Sequence, residues 1–465
     1  MSISHKAART AIGAGLDIAI NHAIKNQEQG INDIINLLKK YFKPTDKDKE
    51  KSGTNAFENM AKFTEDPNSK WMRYAKKIFN DVDPKIIKTL MLNLAYESGY
   101  RGLNTVRETS EKYDCNVPWT MLFDPTSACN MHCKGCWSGE YGPKHNLSYE
   151  DMDSIVTQGK ELGTHFYLLT GGEPLVRKDD IVKLALKHSD CVFHCFTNGT
   201  LVDDKFCKDM LNCKNIILGI SLEGFKEEND FRRGDGCFDK VMKAMDLLKK
   251  YKLPFGTSVC WTKQNCETVI SDEFLKLLVD KGCLWAWYFH FMPVGQNTGK
   301  ELIPTPEQRE FMLKTLRQKR KENNDHLLLM LDFQNDGEYV GGCIAGGKHF
   351  LHINPNGDVE PCVFIHYSTA NIHENTILEA LQQPLFMQYR QHQPFNENMF
   401  RPCPMLENPS YLPNMVKEAK AVSTDLEAPE NAEHLVSKTI EYAKEWAPTA
   451  DRLWEERLAE KKMAK

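Results

Sequence analysis

No apolar run in this 465-residue chain approaches the ~20 residues needed to cross a bilayer; the longest, "CLWAWYFHFMPV", covers residues 283–294. An export signal is lacking too. Asp17 interrupts the apolar stretch that follows Lys6 and Arg9, and no small-residue cleavage site comes after it. Positive charge is not in excess: 59 basic residues against 64 acidic ones give a formal charge of −5, so there is no global field for nucleic acid. No internal repeat or low-complexity tract stands out. The chain therefore reads as cytoplasmic, with an apolar fraction of 41% that can build an ordinary core. Cysteine is what the chain does not lack. Disulfides explain fifteen cysteines poorly in a reducing compartment, whereas metal ligation by some and burial of the rest fits.

Residues 1–113 carry helical periodicity, as in "INDIINLLKKYF", where Ile31, Ile34, Ile35, Leu38 and Phe42 form one stripe. Pro44 to Asn55 is polar and charge-alternating, which predicts an exposed linker. From Trp119 short apolar runs alternate with helical stretches: "WTMLF", "HFYLL", "CVFHCF", "IILGIS", "FGTSVCW" and "LWAWYFHF". Six strand–helix alternations predict parallel strands with right-handed crossovers, hence an α/β fold built on a partial (βα)6 TIM-like barrel over residues 114–300. Chemistry in such barrels sits at the carboxyl ends of the strands. After residue 300 the pattern turns irregular, with Asn356–Gly357 marking a hairpin, and from 416 to 465 polar helices return.

Directly after the first predicted strand comes "SACNMHCKGCW", which sets Cys129, Cys133 and Cys136 in a C-x3-C-x2-C spacing. Thiolates are soft ligands for zinc or iron–sulfur clusters. Three of them on a short loop can bind three irons of a cubane and leave the fourth iron for an exogenous ligand. Zinc closed by His132 or Cys115 is the alternative.

That spacing, followed by Trp137 on the first loop of a (βα)6 sequence, resembles the radical S-adenosylmethionine (radical SAM) superfamily over residues 118–297. The resemblance implies that Cys129, Cys133 and Cys136 hold a catalytic 4Fe–4S cluster. It also implies that "TGGEP" (Gly171, Gly172, Glu173) receives the amino group of S-adenosylmethionine. Thr197 and Asn198 of "FTNGT" share that rim. Ser221, and Glu223 after it, would meet the ribose and methionyl parts, and Arg233, or its neighbour Arg232, the carboxylate. "FMPVG", through Val294, would meet the adenine by its backbone, with Trp137 flanking the ring. The implied chemistry is one-electron cleavage of S-adenosylmethionine to a 5′-deoxyadenosyl radical, which removes hydrogen from an unactivated C–H bond; a ferredoxin or flavodoxin would supply the electron.

Farther on, Cys343, Gly357 and Cys362 form C-x13-G-x4-C, which resembles the start of SPASM or twitch auxiliary-cluster domains, and Cys403 is a third ligand candidate. A full SPASM domain needs seven cysteines, and only these three lie beyond residue 283, so one auxiliary 4Fe–4S cluster over residues 301–415 is expected. Cys266, Cys283, Asp336, Glu338 or a histidine could complete it. The site would either relay electrons or bind substrate at an open iron. His290, on the last barrel strand, is the histidine nearest the predicted mouth. No D-x-H-x-x-G motif is present, which weakens a methyl-transfer reading. For the substrate, the amphipathic helices and the aromatic Trp285–Phe289 strand favour a small molecule or lipid, with the N-terminal helices gating it or touching a membrane surface. A peptide- or protein-modifying maturase is the alternative.

Overall fold

The structure, a computed structural model, describes residues 3–41, 66–139, 144–295 and 298–463; the expected linker at Pro44 to Asn55 lies outside them. The six expected strands form as β1 (Thr120–Phe123), β2 (Phe166–Leu169), β3 (Val192–Thr197), β4 (Ile216–Ser221), β5 (Phe255–Trp261) and β6 (Trp285–His290). Each pairs in parallel with the next. A helix returns the chain after every one, as parallel pairing requires. The helix Tyr149–Leu162 shows how the sequence does this. Ser148 and Asp151 cap it reciprocally, Met152, Ile155, Val156 and Leu162 face the core, and Gly163 ends it at φ +104°.

The sheet does not stop at six. β7 (Leu329–Asp332) adds in parallel to β6, and β8 (Phe350–Ile353) adds in parallel to the free edge of β1. β9 (Val359–Glu360) then folds back antiparallel on β8 through the expected hairpin, with Gly357 at φ +90°. The order is β7-β6-β5-β4-β3-β2-β1-β8-β9. The curled ends face each other across a seam, where Phe333 beyond β7 meets Phe350 of β8 with ring centroids 6.2 Å apart.

The N-terminal region is helical as expected, from Ile3–Lys25 through the π-helical Met91–Gly102 to Leu103–Tyr113. Its place corrects the expectation of a gate. Asn93 Nδ2 donates to the carbonyl of Cys191 (2.8 Å) and the Tyr74 hydroxyl to that of Leu284 (2.8 Å), both just upstream of β3 and β6. These helices therefore cover the amino end of the barrel, opposite the cysteine loop. Glu97, fully buried there, is matched by His5, Arg9 and Arg101. Among the described residues no helix is long and apolar enough to cross a membrane. At the other terminus the helix Ile440–Met463 packs inward. Trp446 lies over the buried Arg309, which pairs with Glu407 at 2.7 Å.

Candidate active site

The rim at the carboxyl ends of the strands gathers nearly all the side chains the sequence singles out. Cys129, Cys133 and Cys136, on the loop after β1, line a single cavity. Trp137, Gly171, Gly172, Glu173, Thr197, Asn198, Ser221 and Arg233 line it with them. Val294 does not line it. Its side chain is buried in the core and its N–H donates to the Met292 carbonyl (2.9 Å), while Phe291 and Met292 face the cavity instead.

The Gly-Gly-Glu turn is shaped by the cysteine loop. A Cβ on Gly172 would lie 2.3 Å from the Ala128 carbonyl oxygen, and one on Gly171, at φ +102°, 2.5 Å from that of Thr126. Only glycine lets two backbones approach like this, and the contact is fixed by N–H donation from Gly172 to Thr126 and from Glu173 to Ala128, each 2.9 Å. Glu173 itself is fully buried. One carboxylate oxygen accepts from the Thr197 hydroxyl (2.5 Å) and the Leu175 N–H (3.0 Å), the other from the Asn198 N–H (2.8 Å). Asn198 Nδ2 in turn donates to Asn130 of the cysteine loop (2.9 Å). Burial pushes the Glu173 carboxyl up. Its three bonded partners are all neutral donors, so one lone-pair direction is left for a ligand cation, although the charge of Arg233 also acts on it.

Two arginines share one acid below the loop. Arg232 Nη1 and Arg233 Nε reach Glu223 Oε1 at 2.9 and 2.8 Å, and the Cys260 N–H donates to Oε2 at 2.9 Å. Arg233 Nη1 also approaches Cys133 Sγ (3.9 Å), and the Arg232 carbonyl accepts from the Lys134 N–H (2.9 Å). Both guanidiniums face the cavity, whereas Glu223 stands behind them and does not line it. Ser258 and Cys260, which sequence reading passes over, do line it. Alternation was the available signal: on β5 the inward positions 256, 258 and 260 follow a period of two. His290 lines the cavity too and is held in place by its neighbours. Its Nδ1 meets the Phe291 carbonyl (2.7 Å), its Nε2 the Tyr442 hydroxyl (3.0 Å), and burial beside Arg309 drives its pKa down, so the ring is neutral.

The thiols suit an iron–sulfur cluster. None is in a disulfide, and burial pushes Cys129 up to about 11, partly relieved by the Met131 N–H donated to its sulfur. Such a thiol gives up its proton to a bound metal rather than to the protein field. Cys115, one candidate fourth ligand for zinc, is buried in the main core.

Beyond Cys136, Trp137 is held edge-on against His352, His366 and Phe364, with centroids 5.6, 6.0 and 6.5 Å away. Buried acids flank both imidazoles: His352 lies 3.0 Å from Asp124 and 2.6 Å from Glu360, and His366 lies 2.6 Å from Asp425. Burial alone would lower the pKa of each, but the acids outweigh it and raise His352 to about 10 and His366 to about 9. A histidine whose folded pKa exceeds its unfolded ~6.5 lends its full stability below that value and loses it as pH climbs through the folded one. Thermal melting of the full chain should therefore show stability falling from pH 6.5 towards 10, and His352→Gln should flatten that decline.

The second cysteine set lies at the seam. Cys343, Cys362 and Cys403 line a second cavity between β6, β7 and β8. Backbone N–H groups point at their sulfurs: Ala345 at Cys343, Phe364 at Cys362, and Met405 and Leu406 at Cys403, the last two at 3.4 Å. This donor pattern suits cluster thiolates. Among the candidate completing groups, Asp336 lines the same cavity but forks with Arg320 at 2.7 Å, and Glu338 is taken by Arg317, Arg457 and Lys461. Cys266 and Cys283 are buried in the main core. The two cavities abut, with Met292 and Phe364 facing both.

Fold and rim together define an α/β barrel with a three-cysteine loop beside a cavity at the carboxyl ends of its strands. The radical SAM superfamily model matches residues 123–278, and the SPASM iron–sulfur cluster-binding domain model matches residues 343–405. An AdoMet-dependent heme synthase of Methanosarcina barkeri is 22% identical over 291 residues, 57% of this chain and 82% of that protein. A GTP 3',8-cyclase of Thermodesulfovibrio yellowstonii is 30% identical over 271 residues, 51% of this chain and 79% of that protein. Among solved structures, Streptococcus suis SuiB bound to precursor peptide SuiA shares the fold, with a TM-score of 0.52 at 18% identity over 63% of this chain and 72% of that one. The chain belongs to the radical SAM superfamily. It is accordingly an enzyme that uses a 4Fe–4S cluster and S-adenosylmethionine, with further iron–sulfur chemistry in its SPASM domain, and it needs a reductant.

Proposed function

We propose that the enzyme acts on a small apolar or lipid-like molecule held in the rim cavity, between S-adenosylmethionine and the auxiliary site. The observation that carries this reading is the cavity wall, in which Leu122, Met131, Phe196, Phe289, Phe291 and Phe364 supply apolar surface. In this reading Cys129, Cys133 and Cys136 hold the catalytic cluster, and Cys343, Cys362 and Cys403 the auxiliary one. The chemistry these cofactors supply when bound is reductive cleavage of S-adenosylmethionine and removal of hydrogen from an unactivated C–H bond. Glu173 takes the ammonium of the methionine moiety, since its carboxylate has no cationic hydrogen-bond partner of its own. Arg233 takes the carboxylate, bidentate as a planar guanidinium allows. Ser221, Thr197 and Asn198 orient the polar middle of the nucleotide. Trp137, locked by its ring neighbours, offers a fixed aromatic wall, and the surrounding rings exclude water. The electron comes from a ferredoxin or flavodoxin.

Anaerobically reconstituted protein with a low-potential reductant tests this. Planar or aliphatic apolar molecules should stimulate formation of 5′-deoxyadenosine and take up or lose hydrogen in step with it. Stimulation by a peptide alone, with none by small molecules, would overturn the substrate class and favour a maturase.

A further inference from the structure

The two cavities at the carboxyl ends of the strands are divided by one short turn. In residues 362–365 the Ile365 N–H donates to the Cys362 carbonyl at 2.9 Å, and the side chains part company: Cys362 and Ile365 face the second cavity, Val363 the first. His366 braces the turn from behind, donating from Nε2 to the Val363 carbonyl (3.0 Å) and from Nδ1 to Asp425 (2.6 Å). Phe364 faces both cavities, and Met292, just beyond β6, is the other residue common to them. The half-buried Phe364 ring stands edge-on to Trp137 of the first cysteine loop and to Phe333 at the seam, with centroids 6.5 and 6.4 Å away.

The backbone of this wall is tied down, so what separates the cavities is one aromatic ring and one flexible thioether. Apolar surface continues beyond it, where Trp287, Leu331, Phe333 and Phe350 line the second cavity. An apolar chain growing from the rim cavity gains burial with each methylene while room lasts, and gains nothing more once it meets packed side chains. We propose that Phe364, with Met292, is a specificity-determining partition: the pair ends the space open to a substrate in the rim cavity and sets the length of apolar chain the enzyme accepts. The proposal rests on the reading of the substrate as a small apolar molecule.

Calorimetric titration of the anaerobically reconstituted full chain, with S-adenosylmethionine bound, tests it, using straight-chain primary alkanols from butanol to dodecanol as probes. For the unaltered protein, affinity should rise about fourfold with each added methylene and stop rising at a fixed length. Phe364→Ala should move that length to longer alkanols, and Phe364→Trp to shorter ones. Met292→Ala should lengthen it too while leaving the Cys362 turn intact, which answers the case of a Phe364→Ala chain that fails to fold. The same length in every variant, or a rise in the unaltered protein that never stops, overturns the proposal and leaves the substrate class standing. Binding of no alkanol at all overturns the substrate class, and the proposal with it.

Discussion

Cys133→Ala is expected to halve the iron, from roughly eight atoms per chain to about four for two cubanes, and to abolish cleavage of S-adenosylmethionine. Cys133 is the sharpest choice because Arg233 approaches its sulfur and the loop around it is bonded to the arginine pair. Cys362→Ala should remove the same amount of iron yet leave some nucleotide cleavage, since its sulfur belongs to the seam cavity. Iron analysis with chromatography of 5′-deoxyadenosine distinguishes the two. Equal iron in Cys133→Ala and the unaltered protein would place the catalytic centre elsewhere.

Glu223→Gln should be nearly as severe, though by a different route. Glu223 is fully buried, and the side chains of Arg232 and Arg233 are only 10% and 11% exposed. Removing the charge leaves two guanidiniums under the cysteine loop with no carboxylate beside them. Breaking a buried pair in this way costs about 3–5 kcal/mol. A large drop in resistance to denaturant is expected, together with weaker S-adenosylmethionine binding as Arg233 loses its position. The double variant Glu223→Gln/Arg233→Gln should recover part of the stability, because it removes one unmatched cation along with the acid. A Glu223→Gln chain as stable as the unaltered one would mean the arginines find other partners.

Local features carried most of the site. The cysteine spacing, the Gly-Gly-Glu turn and the six apolar runs are each contained in a short window, and β1 to β6 with their rim loops follow from them. What escaped depends on contacts between distant residues. β8 pairs Leu122 with His352, some 230 positions apart, and a four-residue run such as "FLHI" shows no sign of its partner. Likewise the acids that charge His352 and His366 come from the residue after β1, from β9 and from a loop near residue 425, so each histidine alone reads as ordinary. A family motif such as "FMPVG" marks a segment but not which of its side chains face inward: Phe291 and Met292 line the cavity and Val294 does not. The N-terminal helices misled for a similar reason: an amphipathic stripe says that a helix packs, not against which end of a barrel.

The pairing of β8 with β1 also bears on how such extensions can be exchanged between relatives. A cassette cut at residue 300 and spliced onto another barrel would carry away the strand that covers the β1 edge, leaving unpaired N–H and C=O groups directly beneath the cysteine loop. Grafts of this SPASM region should therefore be joined within β1 and its successor together, or the donor barrel will be left sticky at its most delicate margin.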